Sequence, residues 1–447
     1  MTRINYILAF VVAVSISISA VAQSLSLDSC VAMAVRNNAD VKNADLAVEE
    51  AKQTKSAALT KYFPAVSASA GAFHSDRPFI EYGISNIGNS GIRDVLQTIY
   101  YNILAPFGIS DHLSFLQKGV VSGVVAMQPV YAGGRIVTGN KLAKLGIEAS
   151  EYQKEIKIRE IELRTEELYW QCKMLEEKRR TVEVALQLLH SLEKDVRVAI
   201  GAGLITPNDG LKVKLKINEM NANTIKIENG IRLCKMALCQ QIGVAYNDSV
   251  TLSDTLQSIS EPWALKADNS AAVQGRSEFK LLDLNVKAKK LEKRMILGET
   301  LPQIGIGGSY SYNNLMDRNA FNLTGFAMVQ VPITAWWEAS HNIKKQNYRI
   351  QEAENLKADV TGKLELQTQK IWDELDAAYR SYELAEEAVS DAKENLRLSL
   401  QYYKAGLITL SELLEAQTLY RQALDSRVEQ TITYLICLRH YKQLAGV

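Results

Sequence analysis

The pentapeptide Ala-Gly-Leu-Ile-Thr stands at residues 202–206 and again at residues 405–409, an offset of 203. Pro129 and Pro332 are related by the same offset. Closer to the N terminus the offset is 238, and it relates Lys42, Asp45, Leu46, Val48 and Pro64 to Lys280, Asp283, Leu284, Val286 and Pro302. Matches that keep their order at two offsets indicate a tandem duplication. The first copy has 35 additional residues (238 − 203) between Pro64 and Pro129.

The duplication predicts four parts of the chain. They are a signal peptide at 1–22, a first repeat at 23–244, a joining segment at 245–274 and a second repeat at 275–447. The signal peptide is indicated by Arg3, by the apolar run that follows it and by the small-residue cleavage site Ala20-Val21-Ala22. A membrane anchor is disfavoured because this run is shorter than the ~20 residues that span a bilayer as a helix.

Composition and motifs argue against nucleic-acid binding and catalysis. The 447 residues include 51 Lys and Arg against 50 Asp and Glu, a net charge of +1, whereas nucleic-acid binders carry a basic excess. The five histidines are scattered without metal-ligand spacing, so we predict no metal site, no cofactor and no catalytic residue. The glycine-rich stretch Gly305-Ile306-Gly307-Gly308 falls within a predicted strand rather than before a phosphate-binding helix.

Each repeat is predicted to hold two strands followed by a long helical hairpin. The strands are expected at about 65–73 and 121–130, and at about 303–312 and 323–331. The clearest is 303–312, where Ile304, Ile306, Tyr310 and Tyr312 alternate with small or polar residues. The alternative is a small soluble hairpin, but a two-stranded hairpin is marginal alone.

The helices are predicted from a heptad pattern. From Ile158 to Ile200, ten of thirteen positions spaced alternately by three and four residues are apolar. The same positions plus 203, from Thr361 to Tyr403, are apolar or aromatic in ten of thirteen cases. A register kept in both copies indicates coiled-coil packing. A helix over about 135–200 would be on the order of 100 Å long.

The repeated pentapeptides predict the two hairpin tips, at about 201–209 and 404–412. Gly203 and Gly406 suit the left-handed position that ends a helix. The pairs Thr206–Asp209 and Thr409–Glu412 have the spacing of a capping box that starts the next helix. These residues are accounted for as turns. Any further function would follow from their exposure at the ends of long hairpins.

Four strands cannot close a membrane barrel, for which about eight are needed. We therefore predict that strands are pooled between chains, and that the 74–119 insertion is an outer loop. Aromatic residues near the strand-to-helix passages are expected to lie at a membrane interface. They are Tyr62, Phe63, Tyr131, Trp336 and Trp337. The alternative is that these side chains only cap the coiled coil.

The sequence resembles the TolC-type outer membrane factor (outer membrane efflux protein) family over essentially the whole mature chain. The resemblance rests on the duplication, on the 129–135 segment Pro-Val-Tyr-Ala-Gly-Gly-Arg, and on the second tip, 403–417. It implies a mainly α homotrimer in the outer membrane, with a 12-stranded barrel and a periplasmic tunnel of 12 helices. It further implies a passive exit duct for efflux or type I secretion, working with a periplasmic adaptor and an inner-membrane pump. One departure is Trp336-Trp337, which replaces the glycines of the first copy.

Two sets of site residues accompany this resemblance. The adaptor-contact residues are Gly203, Leu204, Thr206, Asn208, Asp209, Gly406, Leu407, Thr409, Ser411 and Glu412. The resemblance also implies a periplasmic gate of Tyr403, Glu412 and Glu415, although Ile408 stands where relatives carry a basic partner. The alternative for both glutamates is that they stabilise the start of a helix.

Two alternatives remain open. Cys172 and Cys234 are each 31 residues from Gly203 and should face each other, so a disulfide is conceivable in an oxidising compartment. Helix axes ~8–10 Å apart favour a reduced, buried pair. The alternative function is a periplasmic coiled-coil adaptor or structural protein, but adaptors place one hairpin within β-rich domains, whereas this chain has two.

Overall fold

The computed structural model describes residues 24–78, 80–115, 117–256, 259–315 and 319–446, so the predicted signal peptide lies outside the described residues. The chain is mostly helical with a small sheet component, as predicted. The helices are α1 Leu27–Asn37, α2 Ala39–Thr60, α3 Ser90–Ile99, α4 Arg135–Gly201, α5 Pro207–Gln241, α6 Asn269–Gly275, α7 Ser277–Glu299, α8 Ala335–Lys404 and α9 Leu410–Ala445. The strands are β1 Ser24–Leu25, β2 Ala65–His74, β3 Ile80–Gly83, β4 His112–Phe115, β5 Lys118–Ala132, β6 Thr251–Leu252, β7 Gln303–Asn314 and β8 Ala320–Gln330.

The chain forms two compact units that do not follow the repeat boundaries. Of the described residues, the first unit takes those within 24–50, 148–285 and 353–446, and the second takes those within 51–147 and 286–352. Each unit therefore combines segments of both repeats. The outcome is expected for a duplicated chain whose equivalent segments pack against each other.

The second unit contains a four-stranded antiparallel sheet in the order β2-β5-β7-β8. Its register places Val124 beside Tyr310, and Tyr310 beside Leu323. The first three strands extend beyond the predicted ranges, and β8 begins three residues before its predicted range and ends one residue short of it. The 74–119 insertion, expected to be a loop, also contains the β3–β4 pair and helix α3.

The two strand-to-helix passages differ, because the first uses glycines and the second does not. Gly133 and Gly134 have φ of 62° and 75°, a conformation that favours glycine. A Cβ on Gly133 would lie 2.0 Å from the carbonyl oxygen of Gly298. In the second passage α8 has already begun at Ala335, and the indole Nε1–H of Trp336 donates to the carbonyl oxygen of Thr300 at 2.8 Å. The tryptophans therefore replace the glycines by extending the helix.

The first unit holds the hairpins α4–α5 and α8–α9 from residues 148 and 353 onward. Along α4 the heptad positions Ile161, Cys172, Val182, Leu189 and Val196 are buried, as the pattern requires. The equivalent stretch of α8 buries a matching series that includes Leu375 and Val389. These side chains form apolar clusters with α5 and α9. Packing of the apolar face, rather than helix propensity alone, stabilises such long helices.

Cys172 and Cys234 form a disulfide between α4 and α5, with their Cα atoms 5.5 Å apart. The prediction of a reduced pair was wrong because it compared the interaxial distance with the Cα separation. A Cα atom lies ~2.3 Å from its helix axis. Facing residues on axes 8–10 Å apart can therefore approach to within about 3.4–5.4 Å, and the upper part of that range suits a disulfide.

The joining segment is fixed to the first hairpin by backbone and side-chain contacts. Strand β6 pairs in parallel with β1. Lys173 and Lys235 donate to the carbonyl oxygens of Leu252 and Val250, at 3.3 and 2.9 Å, and both lysines contact Glu176. Within the described ranges, no helix combines the length and apolar character needed to cross a membrane.

Candidate functional site: the hairpin tips and the sheet

The two tips have the same backbone structure. Gly203 has φ of 74°, and the N–H of Leu204 donates to the carbonyl oxygen of Ala199 at 2.9 Å. Gly406 has φ of 73°, and the N–H of Leu407 donates to Tyr402 at 2.9 Å. Both turns therefore close the helix end with a left-handed glycine followed by a backbone hydrogen bond.

The second helix of each hairpin, α5 or α9, begins with the predicted capping box. The backbone N–H and hydroxyl of Thr206 contact the Asp209 carboxylate at 3.3 and 2.9 Å. At the second tip, the N–H of Thr409 donates to Glu412 at 2.6 Å and the N–H of Glu412 donates to the Thr409 hydroxyl. Hydrogen bonds to the ionised form lower a carboxyl pKa. The hydrogen bond from Thr206 and, second, that from Lys212 lower the pKa of Asp209. The hydrogen bond from the Thr409 backbone lowers the pKa of Glu412.

The structure brings the two tips together within the first unit. Lys212 on α5 contacts Asp209 at 3.1 Å and donates to the hydroxyl of Ser411 on α9 at 3.2 Å. Nine of the ten predicted adaptor-contact residues are exposed, and Asp209 is half-buried. Leu204 and Leu407 are 78% and 71% exposed. The tips thus form one polar surface with two protruding apolar side chains.

The three predicted gate residues have different surroundings. Tyr403 is half-buried against the apolar cluster that contains Leu413. Burial raises the pKa of the Tyr403 hydroxyl, and the negative charges of Asp209 and Asp195 raise it further. Glu415 is exposed, while the Glu412 carboxylate caps Thr409. Helix capping, the alternative for Glu412, is therefore observed.

Polar contacts between α4 and α9 link the hairpins, and the sequence reasoning missed them. Gln417 donates to the carbonyl oxygen of Ala185 at 3.1 Å, and the Thr181 hydroxyl contacts Asp425 at 2.5 Å. Lys178 pairs with Glu429 further along the same helices. The heptad pattern gave no signal for these contacts, because it identifies apolar positions only.

A charged cluster continues this line of contacts. Arg439 on α9 lies 2.9 Å from a Glu166 carboxylate oxygen and 3.6 Å from Glu162, both on α4. Glu166 is buried. Burial removes water from the Glu166 carboxylate and raises its pKa to about 7, with smaller contributions from the negative charges of Glu162 and Asp28. The positive charge of Arg439 acts in the opposite direction but is outweighed by the burial. The carboxyl group can therefore change protonation near neutral pH.

The sheet has one apolar face and one face of mostly small or polar residues. Pairing places Val124, Tyr310 and Leu323 in one row, and Leu323 is 83% exposed. The opposite face carries serine and glycine together with a few larger side chains such as Phe326 and Met328. The apolar face, together with its exposure, matches the surface that a lipid-facing sheet presents.

Aromatic side chains stand at both ends of this apolar face. Phe321 packs against Tyr310 and Tyr312, with ring centroids 6.1 and 5.1 Å apart, at the end where the 74–119 insertion leaves the sheet. The five predicted interface aromatics at the other end are all exposed. Among the described residues, no group of His, Cys, Asp or Glu side chains could hold a metal ion.

Comparison with known proteins places this architecture in a class. Residues 298–446 match the outer membrane efflux protein family. The fold is similar to VceC of Vibrio cholerae (15% identity, 94% and 96% of the two chains, TM-score 0.72). It is also similar to the outer membrane channels CmeC of Campylobacter jejuni (15%, 94% and 85%, 0.71) and MtrE of Neisseria gonorrhoeae (14%, 94% and 88%, 0.72). No curated protein sequence matches the chain.

The matched family and the similar structures are outer membrane channel proteins rather than enzymes. The predicted resemblance is confirmed by the match of residues 298–446 to the outer membrane efflux protein family. The predicted location in the cell outer membrane is confirmed by the same match.

Proposed function

We propose that the protein is the exit duct of a tripartite efflux or type I secretion system, and that it passively conducts substrates from the periplasm to the exterior. The observation that carries this proposal is a four-stranded sheet with an exposed apolar face in a chain that also builds two very long helical hairpins. A soluble adaptor has no need of such an apolar face, because water would surround it.

The sheet supports the trimer and the barrel. Strands β2 and β8 are the edges of the four-stranded sheet within one chain. Open edges expose unpaired backbone groups, and in hydrocarbon these must be satisfied by closure. Pairing β8 of one protomer with β2 of the next would join three sheets into a barrel of 12 strands. The small and polar face of the sheet would then line the lumen.

Exposed apolar residues on α8 provide a second contact between protomers. Leu366, Leu384 and Tyr402 are spaced by 18 residues, which is five helical turns, so they lie on one side of the helix. Leu366 and Leu384 are 70% and 67% exposed. Successive side chains of this set are about 27 Å apart along the helix, and each would be covered where neighbouring hairpins pack into a tunnel.

The tips are proposed as the contact for the periplasmic adaptor, which recruits an inner-membrane pump. Gly203 and Gly406 allow another backbone to approach closely, and Leu204 and Leu407 supply apolar anchors. Tyr403, Glu412 and Glu415 are proposed to close the periplasmic end. Three copies of each glutamate would form acidic rings around the axis of the trimer, and acidic rings favour cations.

Conductance and assembly test the proposal. Purified protein should migrate as a cross-linked trimer and form conducting pores in planar lipid bilayers. Leu323→Arg places a charge on the apolar face and should destabilise the trimer by about 2–4 kcal/mol. The adjacent Thr324→Arg, on the opposite face, is the matched control and should alter conductance more than stability. Protein that stays monomeric and forms no pores would contradict the function.

A further inference from the structure

The 74–119 insertion contains an amphipathic helix whose apolar side is exposed. Helix α3 begins with Asn89 as its N-cap, whose side chain accepts a hydrogen bond from Ile92 at 3.3 Å. Helical turns continue through Tyr100–Leu104 and Ala105–Phe107, and Gly108 ends them at φ of 70°. The helical segment 90–107 is therefore a defined element rather than an irregular loop.

One side of α3 itself is apolar along its whole length. The spacing i, i+3, i+4 and i+7 aligns side chains on one face of an α-helix, and in α3 it is occupied by Ile92, Val95, Leu96 and Ile99. The π-helical turn and the 3-10 turn that follow α3 add Ile103 and Phe107. All six are exposed, and Phe107 reaches 79%. Contiguous exposed apolar surface of this kind marks an interaction site.

The charge and position of the segment favour a lipid surface over a protein partner. Arg93 and Asp94 are the only charged residues between positions 84 and 110, and they neutralise each other in sum. Helices that pair with other helices usually carry flanking charges that fix their register, and α3 has no such pattern. Aromatic residues near an apolar stripe are typical of interfacial helices, and Tyr101 is exposed next to it.

The apolar face of the sheet ends where the insertion leaves it. Strands β2 and β5 end their pairing at His74 and Lys118, at the same end as Phe321 and Tyr312. The insertion that contains α3 therefore begins at the edge of the apolar face.

We propose that α3 is an interfacial anchor, which lays its apolar side into the outer leaflet of the bilayer beside the sheet. The proposal rests on the proposed function, because the sheet must itself span the membrane. The anchor would fix the insertion at the membrane surface and leave the mouth of the duct clear. The second repeat lacks this insertion, so a trimer would carry three anchors.

Site-directed spin labelling tests the anchor in the full-length protein. The parent variant carries Cys30→Ala, Cys239→Ala and Cys437→Ala and keeps the disulfide. Single labels are placed through Val95→Cys on the apolar side and Asp94→Cys at an exposed position on the polar side, in vesicles of phosphatidylethanolamine and phosphatidylglycerol. The label at 95 should collide several-fold more with oxygen than with a water-soluble nickel chelate. The label at 94 should show the opposite preference.

A label introduced through Leu323→Cys separates the two proposals. If the label at 323 collides mainly with oxygen, a lipid signature, while the nickel chelate reaches position 95 freely, the interfacial anchor is wrong and the proposed exit duct is unaffected. Shielding of position 95 from both reagents, with dipolar broadening between labels, would mean that copies of α3 cover each other, and would also overturn it. Loss of the lipid signature at 323 itself would reject the membrane-spanning sheet and with it the proposed function.

Discussion

Leu375 and Cys437 occupy, in the second hairpin, the positions that Cys172 and Cys234 occupy in the first, because both pairs differ by the repeat offset of 203. Leu375 is fully buried in an apolar cluster, and Cys437 packs against that cluster. The first hairpin is therefore cross-linked between its helices, while the second keeps only one of the two cysteines. The comparison gives a direct way to test both hairpins.

Removal of the native disulfide should lower the thermal stability of the first hairpin. A bridge between residues 62 positions apart typically contributes about 2–4 kcal/mol by restricting the unfolded chain. Cys172→Ala combined with Cys234→Ala should show this loss in thermal unfolding followed by circular dichroism. Cys437→Ala is the control and should have a smaller effect. Five reactive thiols in denatured, unreduced wild-type protein would show that the bond is absent.

Leu375→Cys should create a second disulfide with Cys437. The equivalent backbone positions in the first hairpin place two Cα atoms 5.5 Å apart, which suits a bridge. Wild-type protein should show three thiols under denaturing, non-reducing conditions, and the variant should show two. Four thiols in the variant would mean that the two hairpins are not geometrically equivalent at this level.

The stability of the first unit should depend on the protonation of Glu166. Its pKa in the folded protein is about 7, above the ordinary value, so the folded state holds this proton more tightly than the unfolded state. Stability should therefore fall as the pH rises from about 4.5 to 7, since the folded state binds more protons over that interval. Glu166→Gln should flatten the pH dependence of the melting temperature over this range.

Glu162→Gln is the matched control for this experiment, because it removes the other α4 carboxylate near Arg439. If the melting temperature of Glu166→Gln changes with pH as much as that of the wild type, Glu166 does not titrate in this range.

Gly406→Trp should abolish efflux and leave trimer assembly unchanged. The left-handed backbone at Gly406 costs an ordinary residue about 1–2 kcal/mol, but a Cβ there would meet open space. Gly406→Asn is the control, since asparagine tolerates this conformation and adds little bulk. Efflux is measured in cells, and the amount of cross-linked trimer measures assembly. Loss of efflux in the Trp variant but not in the Asn variant would show that the bulk of the side chain, rather than backbone strain, is the cause. Full efflux in the Trp variant would remove the tip from the adaptor contact.

The acidic pair at the second tip should set the ion selectivity of the closed pore. Glu412→Gln with Glu415→Gln removes both charges, while glutamine can still accept the capping hydrogen bond at position 412. Planar bilayers should show reduced cation selectivity and weaker block by divalent cations. Thr409→Ala, which weakens the cap and keeps the charges, should retain the selectivity. If the double variant conducts like the wild type, the glutamates serve only as helix caps.

Local signals allowed much of the fold to be predicted. The turns at Gly203 and Gly406 and the caps at Thr206 and Thr409 are formed by neighbours in sequence, so the sequence specifies them directly. The contacts of Gln417 with Ala185 and of Thr181 with Asp425 join residues 232 and 244 positions apart, and no local pattern encodes them. Helix α3 is an intermediate case, because the spacing of Ile92, Val95, Leu96 and Ile99 was present but the insertion was interpreted only as a loop.

Gly133 and Gly298 belong to different repeats, and their backbones approach so closely that each one excludes a side chain on the other. A Cβ on Gly298 would lie 2.5 Å from the carbonyl oxygen of Gly133 and 2.6 Å from the Arg135 side chain. Neither glycine can gain a side chain unless the other backbone moves. Both positions are therefore restricted to glycine for as long as this contact is kept. The repeats, although they began as copies, can no longer be exchanged at this point: a second-repeat passage grafted into the first would place Trp336 where only a hydrogen atom fits.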